Sequence, residues 1–286
     1  MLIRPKNRLV NPRPLRPLLL PKRFCAAGWS LYSPAKDASP RHAVNGLMAA
    51  RFRRKNNVSD VTYEILVKGN NLRLQTGYLA MTNLTLIQSN DGPMLVDVGH
   101  TVNRQGLVAE LEKRGLKPGD IPRVFLSHLH IDHVLNIDLF PYSTEIFVSR
   151  AEYEYAANPH PDDPWIPWMV REQLAKYKLH LLDGPGEFQS EIRYIPAPGH
   201  TPGCYALVLK TKDGNVVVAQ DAIKFPKEAL NRRADHAFDT QERAAETIRH
   251  LLTLGDRIIP GHYMEMYKRD GTFTWDGTME LPIIMR

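Results

Sequence analysis

The chain of 286 residues is 43% apolar and contains two cysteines, Cys25 and Cys204, so it can bury one sizeable core without a disulfide framework. This cysteine usage fits a reducing, cytoplasmic setting, and no apolar run approaches the roughly 20 residues of a membrane-spanning helix. The net charge of +6 is uneven: residues 1–55 hold 13 Lys/Arg and one acid, a net of +12, whereas residues 56–286 hold 24 Lys/Arg and 30 Asp/Glu, a net of −6. The larger part is acidic, which argues against a nucleic-acid partner.

Residues 1–55 form a basic, proline-rich extension that we do not expect to contribute to the core. They contain seven prolines and a single acid, Asp37, without a regular apolar period. Three interpretations stay open: a disordered tail, a mitochondrial-type targeting leader of the Arg-rich, acid-poor kind, or an artefact of an upstream start, with Met48 as a later start. Under each of them, residues 56–286 form the domain that carries the chemistry.

Beyond the extension, the sequence predicts a β layer that leads to a candidate supporting carboxylate. Residues 61–68 are rich in β-branched and aromatic side chains, and residues 79–89 alternate imperfectly between apolar and polar. A turn then leads into Met-Leu-Val-Asp97, and residues 102–114 place apolar side chains at helical spacing. Asp97 either caps a turn or supports a metal-binding histidine from behind, where a carboxylate fixes the tautomer and raises ligand basicity.

The most distinctive stretch is the histidine box Ser-His-Leu-His-Ile-Asp-His at residues 127–133. It directly follows an apolar run that predicts the end of a buried strand. His128 and His130 share one side of an extended segment but would lie roughly 200° apart around a helix, so the box is predicted to be non-helical. Together with Asp132 and His133, they offer four ligands for zinc-like ions within six residues. The alternative is a solvated polar loop.

Three further candidate ligands follow downstream, each just after a predicted strand. His200 lies in a Pro-Gly-His-Thr-Pro-Gly turn, Asp221 closes an apolar run, and His262 follows Ile-Ile-Pro-Gly. An isolated histidine after a strand is more often a structural residue. The repetition of one setting nevertheless favours a shared site, because α/β proteins gather their chemistry at the carboxyl ends of strands.

Residues 149–182 are predicted to form an aromatic-rich, partly helical insertion between these motifs. The rings either pack against the rest of the domain or form a lid or wall that gives the site an apolar pocket, with Trp165 and Trp168 as candidate substrate contacts. Acids such as Asp162 and Asp163 accompany the rings, whereas a nucleic-acid channel would interleave them with cations.

The remaining residues predict a second β layer and one amphipathic helix. Strands are expected at residues 192–195, 205–209 and 216–219, with an Asp-Gly hairpin signal before the last of them. Residues 240–254 place apolar side chains on one helical face. Composition and periodicity alone establish only the α/β class.

Taken together, these motifs resemble the metallo-β-lactamase fold metallohydrolases. The resemblance covers about residues 61–267 and rests on the histidine box, the turn around His200, the strand-end Asp221, the Pro-Gly-His262 sequence and Leu-Val-Asp-Val-Gly around Asp97. It implies an αββα four-layer sandwich with a dinuclear metal site. One ion would be held by His128, His130 and His200, the other by Asp132, His133 and His262, and Asp221 would bridge the two.

Three positions depart from the family's common pattern. Leu135 and Asn136 stand where glycines usually follow the box, and this spacing is similar to the metallo-β-lactamase domain-containing protein 1 group. Gln220 stands where the family usually has glycine. Lys224 occupies a place where lactonase-like members often carry tyrosine, and it is either a surface cation or a partner for a substrate carboxylate.

The predicted chemistry is hydrolysis by a metal-bridging hydroxide. Two ions with seven protein ligands leave room for a bridging water whose pKa falls to about 7, and Asp132 is a candidate for proton transfer. The expected substrate is a small ester, lactone or thioester, and the expected metal is zinc, with manganese, iron or cobalt as alternatives. A phosphodiesterase or nuclease of the same fold and a non-catalytic, metal-stabilised binding protein remain the alternatives. The oligomeric state is open, a homodimer included.

Overall fold

The computed structural model describes residues 61–281. The extension at residues 1–55, with Cys25 and Met48, lies outside the described residues, so its three interpretations stay predictions. Within residues 61–281, Cys204 is a buried free thiol. No helix in this part of the chain combines the length and the apolar character that crossing a membrane requires.

The first half of the described chain forms one six-stranded sheet and its helices. In chain order, the elements are β1 (Thr62–Val67), β2 (Arg73–Leu74), β3 (Gly77–Tyr78), β4 (Leu84–Gln88), β5 (Met94–Val96), α1 (Arg104–Glu112), β6 (Arg123–Phe125), α2 (Ile131–Val134), β7 (Glu145–Ser149), α3 (Arg150–Tyr155), α4 (Val170–Leu174) and β8 (Lys178–Leu182). The sheet has the order β1-β4-β5-β6-β7-β8, antiparallel up to β5 and parallel from β5 onwards. β2 and β3 form a separate hairpin.

The second half forms a seven-stranded sheet. Its elements are β9 (Gly186–Gln189), β10 (Ile192–Pro196), β11 (Tyr205–Thr211), β12 (Gly214–Gln220), α5 (Pro226–Asn231), α6 (Gln241–Leu254), β13 (Arg257–Pro260), β14 (Met266–Arg269) and β15 (Thr272–Thr274). The strand order is β15-β14-β13-β12-β11-β10-β9, and β12 and β13 are the parallel pair.

Alternation along β12 shows how the layers stack. Val216 and Val218 belong to an apolar cluster that also contains Phe125 of the first sheet, so they lie between the two sheets. Val217 and Ala219 belong to a different cluster, which contains side chains of α6. Because successive side chains of a strand point to opposite faces, β12 is buried on both.

Helices cover the outer face of each sheet. Leu107 and Leu111 of α1 pack with Val124 on the first sheet. On the second sheet, α6 begins after Thr240, whose side chain accepts a hydrogen bond from the Arg243 amide at 3.1 Å, and it buries one apolar stripe. The predicted αββα four-layer sandwich of the α/β class is therefore confirmed.

Two local predictions need correction. The histidine box is extended at His130 (φ −70°, ψ 157°), as predicted, but Ile131–Val134 form one helical turn, so the non-helical prediction is wrong there. The predicted insertion at residues 149–182 includes α3, α4 and β8, and β8 pairs in parallel with β7. Much of it is therefore a crossover connection within the sheet, because parallel neighbours need one.

Candidate metal centre

Strand ends of both sheets deliver the predicted ligands to one place. The box follows β6, His200 lies in the turn between β10 and β11, Asp221 follows β12 directly, and His262 lies two residues after β13. All seven side chains come together in overlapping groups whose ligand atoms lie within 4.8 Å of one another: His128, His130 and His200; His128, His133 and Asp221; and Asp132, His133 and His262. Convergence of residues up to 134 positions apart is what a shared site requires.

Asp221 lies between the two ends of this cluster. Its Oδ2 atom is 3.3 Å from His200 Nε2, and its Oδ1 atom is 3.4 Å from His133 Nε2 and 3.2 Å from His262 Nε2. At the outer end, Asp132 Oδ2 lies 3.4 Å from His262 Nε2. The Asp132 side chain is 16% exposed, more than the other six residues of the cluster.

The donor set fits a pair of divalent ions. Among the described residues, no hydrogen-bond partner has suitable geometry for three buried ligand atoms, His128 Nε2, His133 Nε2 and Asp221 Oδ1. Leaving such atoms unpaired inside a protein costs free energy, and a cation that accepts their lone pairs removes that cost. Nitrogen and carboxylate oxygen atoms are suitable ligands for zinc and similar ions.

Contacts on the far side of each ring orient the ligand nitrogens. Asp97 Oδ2 lies 2.7 Å from His133 Nδ1, and the same carboxylate accepts hydrogen bonds from the amide and hydroxyl of Ser127, both at 2.8 Å. Ser127 Oγ also lies 3.0 Å from His128 Nδ1. The His262 Nδ1 atom lies 3.0 Å from the carbonyl oxygen of Met81. These contacts leave the opposite nitrogens free to face the cluster.

Electrostatics favour the metal-binding forms of His128, His200 and Asp221. Burial lowers the pKa of His128 and of His200 well below the usual value, so both rings are neutral, which is the form that binds metal. Burial alone raises the pKa of Asp221, but His262 and His133 beside it hold that pKa well below the usual value. Burial also raises the pKa of Asp97, against the opposing effects of His133 and Ser127.

Two buried carboxylates near the cluster were not predicted from the sequence as site residues. Asp163, 6% exposed, places its Oδ2 atom 3.0 Å from His130 Nε2. Glu152 is fully buried and accepts hydrogen bonds from the Leu129 amide at 3.0 Å and from Thr201 Oγ1 at 2.7 Å. Glu152 thus joins the histidine box to the turn that carries His200. No local pattern distinguishes either acid from its exposed neighbours, Asp162 and Glu154.

A largely apolar cavity of about 210 Å³ opens over the cluster. Trp165 lines it and makes an edge-to-face contact with Tyr78 of β3, with ring centroids 5.5 Å apart. Trp168 is 87% exposed and is not among the lining residues, so its predicted substrate contact has no counterpart in the cavity. The aromatic segment therefore contributes one wall through Trp165.

Lys224 also lines the cavity, and its side chain is only 9% exposed, so the surface-cation interpretation is wrong. Its Nζ atom lies 3.0 Å from Oε1 of the fully buried Glu228. A lysine ammonium has three N–H groups, so this ion pair leaves donors for a second partner in the cavity.

A four-layer sandwich with five histidines and two aspartates at its strand ends defines a metallohydrolase-type protein. The chain belongs to the metallo-beta-lactamase superfamily, whose sequence model matches residues 77–262. The family resemblance drawn from the motifs is thereby confirmed.

Curated relatives include two proteins of different description. An N-acyl homoserine lactonase from Bacillus sp. is 30% identical over 190 residues, which cover 58% of this chain and 73% of the relative. The metallo-beta-lactamase domain-containing protein 1 of Xenopus laevis is 31% identical over 183 residues, which cover 63% of this chain and 70% of the relative. Both similarities agree with those expected from the motifs.

Solved structures share the fold at lower identity. A putative metallo-beta-lactamase from Thermotoga maritima superposes with a TM-score of 0.59 at 17% identity, over 73% of this chain and 99% of that one. A quorum-quenching N-acyl homoserine lactone lactonase gives a TM-score of 0.53 at 24% identity, over 68% and 86% of the two chains. At these identities the likeness concerns the fold alone.

Proposed function

We propose that this chain is a dinuclear, metal-dependent hydrolase of small ester, lactone or thioester substrates. The observation that carries the proposal is the set of buried, unpartnered ligand atoms on His128, His133 and Asp221, together with the largely apolar cavity that Asp221 lines. His128, His130 and His200 would hold one ion, and Asp132, His133 and His262 the other, with Asp221 between them. Zinc is the expected metal, with manganese, iron or cobalt as alternatives. Ions bound there would lower the pKa of water towards neutrality and polarise a carbonyl oxygen.

The chain's own side chains would orient the ligands and handle the proton. Asp97 holds His133, and Ser127 touches both Asp97 and His128, so these residues keep the rings in one tautomer. Asp132 lines the cavity and is partly exposed, which suits its carboxylate to accept a proton and pass it to the departing oxygen or sulfur. No serine or cysteine nucleophile is required.

Cavity composition supports a small, partly apolar substrate. Tyr78, Trp165, Phe225 and Phe238 form apolar walls that exclude water and fit a hydrocarbon portion. Lys224 is a buried cation in the lining, placed to pair with a carboxylate on the substrate. Relatives named N-acyl homoserine lactonase support the inclusion of lactones in the substrate class.

The test combines metal content with a hydrolysis screen on the full chain. We expect about two divalent ions per chain, and turnover of aryl esters, acyl thioesters or acyl lactones that stops with a chelator and returns with zinc. Bis-aryl phosphodiesters are assayed in parallel. Turnover of phosphodiesters alone would replace the proposal with a phosphodiesterase function. Metal-loaded protein that hydrolyses none of these compounds would overturn it.

An Asp221→Ala variant separates the two ions. Because Asp221 lies between both ligand groups, we expect this variant to lose metal together with activity. Full activity in an Asp221→Ala protein that retained one ion would mean that the second ion is not catalytic.

A further inference from the structure

Asp163 connects the aromatic-rich residues 149–182 to the cluster of seven candidate ligands, because its carboxylate accepts hydrogen bonds from three donors. Its Oδ2 atom lies 3.0 Å from His130 Nε2 and accepts a hydrogen bond from the Tyr155 hydroxyl at 2.7 Å. Its Oδ1 atom accepts a hydrogen bond from the Trp165 amide at 3.0 Å. The Asp163 side chain is fully buried, so water does not compete for these contacts.

The contact with His130 decides which nitrogen of that ring faces the cluster. His130 Nδ1 lies 3.1 Å from His200 Nε2, so Nδ1 is the atom available to a metal. A carboxylate only accepts hydrogen bonds, and therefore the ring proton must sit on Nε2, opposite the ligand atom. Asp97 holds His133 in the same way from the other side of the cluster, with the roles of Nδ1 and Nε2 exchanged.

We propose that Asp163 is a positioning residue that holds His130 as a metal ligand and ties it to the Trp165 wall of the cavity. The inference rests on the proposed metal-dependent function. A second link strengthens the tie, because the Ile131 amide donates a hydrogen bond to the Trp165 carbonyl at 2.9 Å. The segment that shapes the cavity thus also orients one ligand of the first ion.

A carboxylate is the side chain that these three partners demand. His130 Nε2, the Tyr155 hydroxyl and the Trp165 amide all donate. In an Asp163→Asn variant, the new NH2 group must face either Trp165 or the pair of His130 and Tyr155, so at least one donor meets another donor. The substitution preserves size while it removes the negative charge beside His130 Nε2.

The experiment measures zinc binding by the full chain in competition with a chromophoric chelator. For Asp163→Asn, we expect one of the two ions to bind about 10- to 100-fold more weakly, and the other to keep its affinity. The matched control is Asp162→Asn, since the Asp162 side chain is 90% exposed, lies near His160 and is not one of the seven cluster residues. Tyr155→Phe removes a single hydrogen bond to the carboxylate, and we expect a weaker effect on the same ion.

The outcomes separate this inference from the proposed function. Wild-type protein that binds no zinc would remove the proposed function itself. A wild type that binds two ions, with Asp163→Asn binding both equally well, would overturn only the role of Asp163. An equal weakening of both ions would also overturn it, because the residue would then act through the general fold. If Asp163→Asn does not fold, the Tyr155→Phe measurement decides between these results.

Discussion

Gly261 lies so close to Asp221 that a Cβ atom on residue 261 would overlap the Oδ1 atom of that carboxylate. The Gly261 amide donates hydrogen bonds to the carbonyl oxygens of Gln220, at 2.9 Å, and Ile223, at 3.2 Å, which seats the end of β13 beside the end of β12. The backbone at Gly261 is not left-handed. The glycine before His262 is therefore required by the neighbouring aspartate and not by a turn.

Gly261→Ala is expected to displace Asp221 and to lower zinc content from about two ions towards one. The affinity for the lost ion should fall about 10- to 100-fold. The measurement is metal per chain after dialysis, together with the hydrolysis rate. Gly106→Ala in α1 is the control, because a Cβ atom there meets nothing within 4 Å. That control should bind normally and gain about 0.5–1 kcal/mol in unfolding free energy. Normal zinc content in Gly261→Ala would contradict the steric argument.

Glu152→Ala should destabilise the fold. The change leaves the Leu129 amide and the Thr201 hydroxyl without their buried partner, and each such loss costs about 1–3 kcal/mol. Release of a desolvated carboxylate offsets part of this cost, so we expect a net loss of about 2 kcal/mol in urea unfolding. The exposed neighbour Glu154 supplies the control, and Glu154→Ala should change little. Equal stabilities of the two variants would count against the bridging role of Glu152.

Glu152 also predicts a pH dependence with a definite sign. Burial raises the pKa of this carboxyl above that of the unfolded chain, which is about 4.3. Below that value Glu152 is protonated in both states. As pH rises, the unfolded chain releases its proton first, so this group's contribution to stability falls as pH rises through the folded pKa. In protein freed of metal by a chelator, the free energy of unfolding of the wild type minus that of Glu152→Gln should therefore be greater at pH 4 than at pH 8. Parallel pH profiles would be the contrary result.

Gln220 stands in the left-handed region, at φ 46°, where the family usually has glycine. Replacement by glycine would relieve about 1–2 kcal/mol of strain. It would also remove hydrogen bonds from Gln220 Nε2 to the Asn83 carbonyl, at 3.0 Å, and from Thr82 Oγ1 to Gln220 Oε1, at 3.2 Å. The loss of these buried hydrogen bonds and the greater conformational entropy of glycine in the unfolded chain cost more free energy than the relieved strain returns. We expect Gln220→Gly to lose about 1–2 kcal/mol in thermal or urea unfolding, and a more stable variant would show that the strain dominates.

Lys224→Ala should raise KM for a carboxylate-bearing ester at least about tenfold, with a smaller change for the neutral diester of the same skeleton. The physical reason is the loss of a charge-assisted hydrogen bond in a poorly solvated cavity. Lys227→Ala is the control, because Lys227 lies three residues further along the chain, in α5, with a 63% exposed side chain. Equal increases in KM for the acid and the diester would remove the carboxylate-binding role.

Sequence periodicity is sufficient to predict the strands and helices whose buried face follows from their own apolar pattern. The sequence predicts β11, β12 and α6 within a few residues, and the imperfectly alternating stretch at residues 79–89 contains β4. The candidate ligands were also accessible, because each stands in a short motif at a strand end. Missed elements such as β8 and the turn Ile131–Val134 are short, and short segments carry too few side chains to define a period.

The amino-acid sequence by itself determined the α/β class and the seven candidate ligands, and it left Asp97 open between a turn cap and a support for a histidine. Only the tertiary structure decided between Asp162 and Asp163, between Trp165 and Trp168, and between a surface and a buried Lys224. The first of these choices depends on a partner far along the chain, because His130 lies 33 residues from Asp163. A hydrophobic period reports which face of one element is buried, whereas the environment of a single polar side chain is set by the packing of several elements.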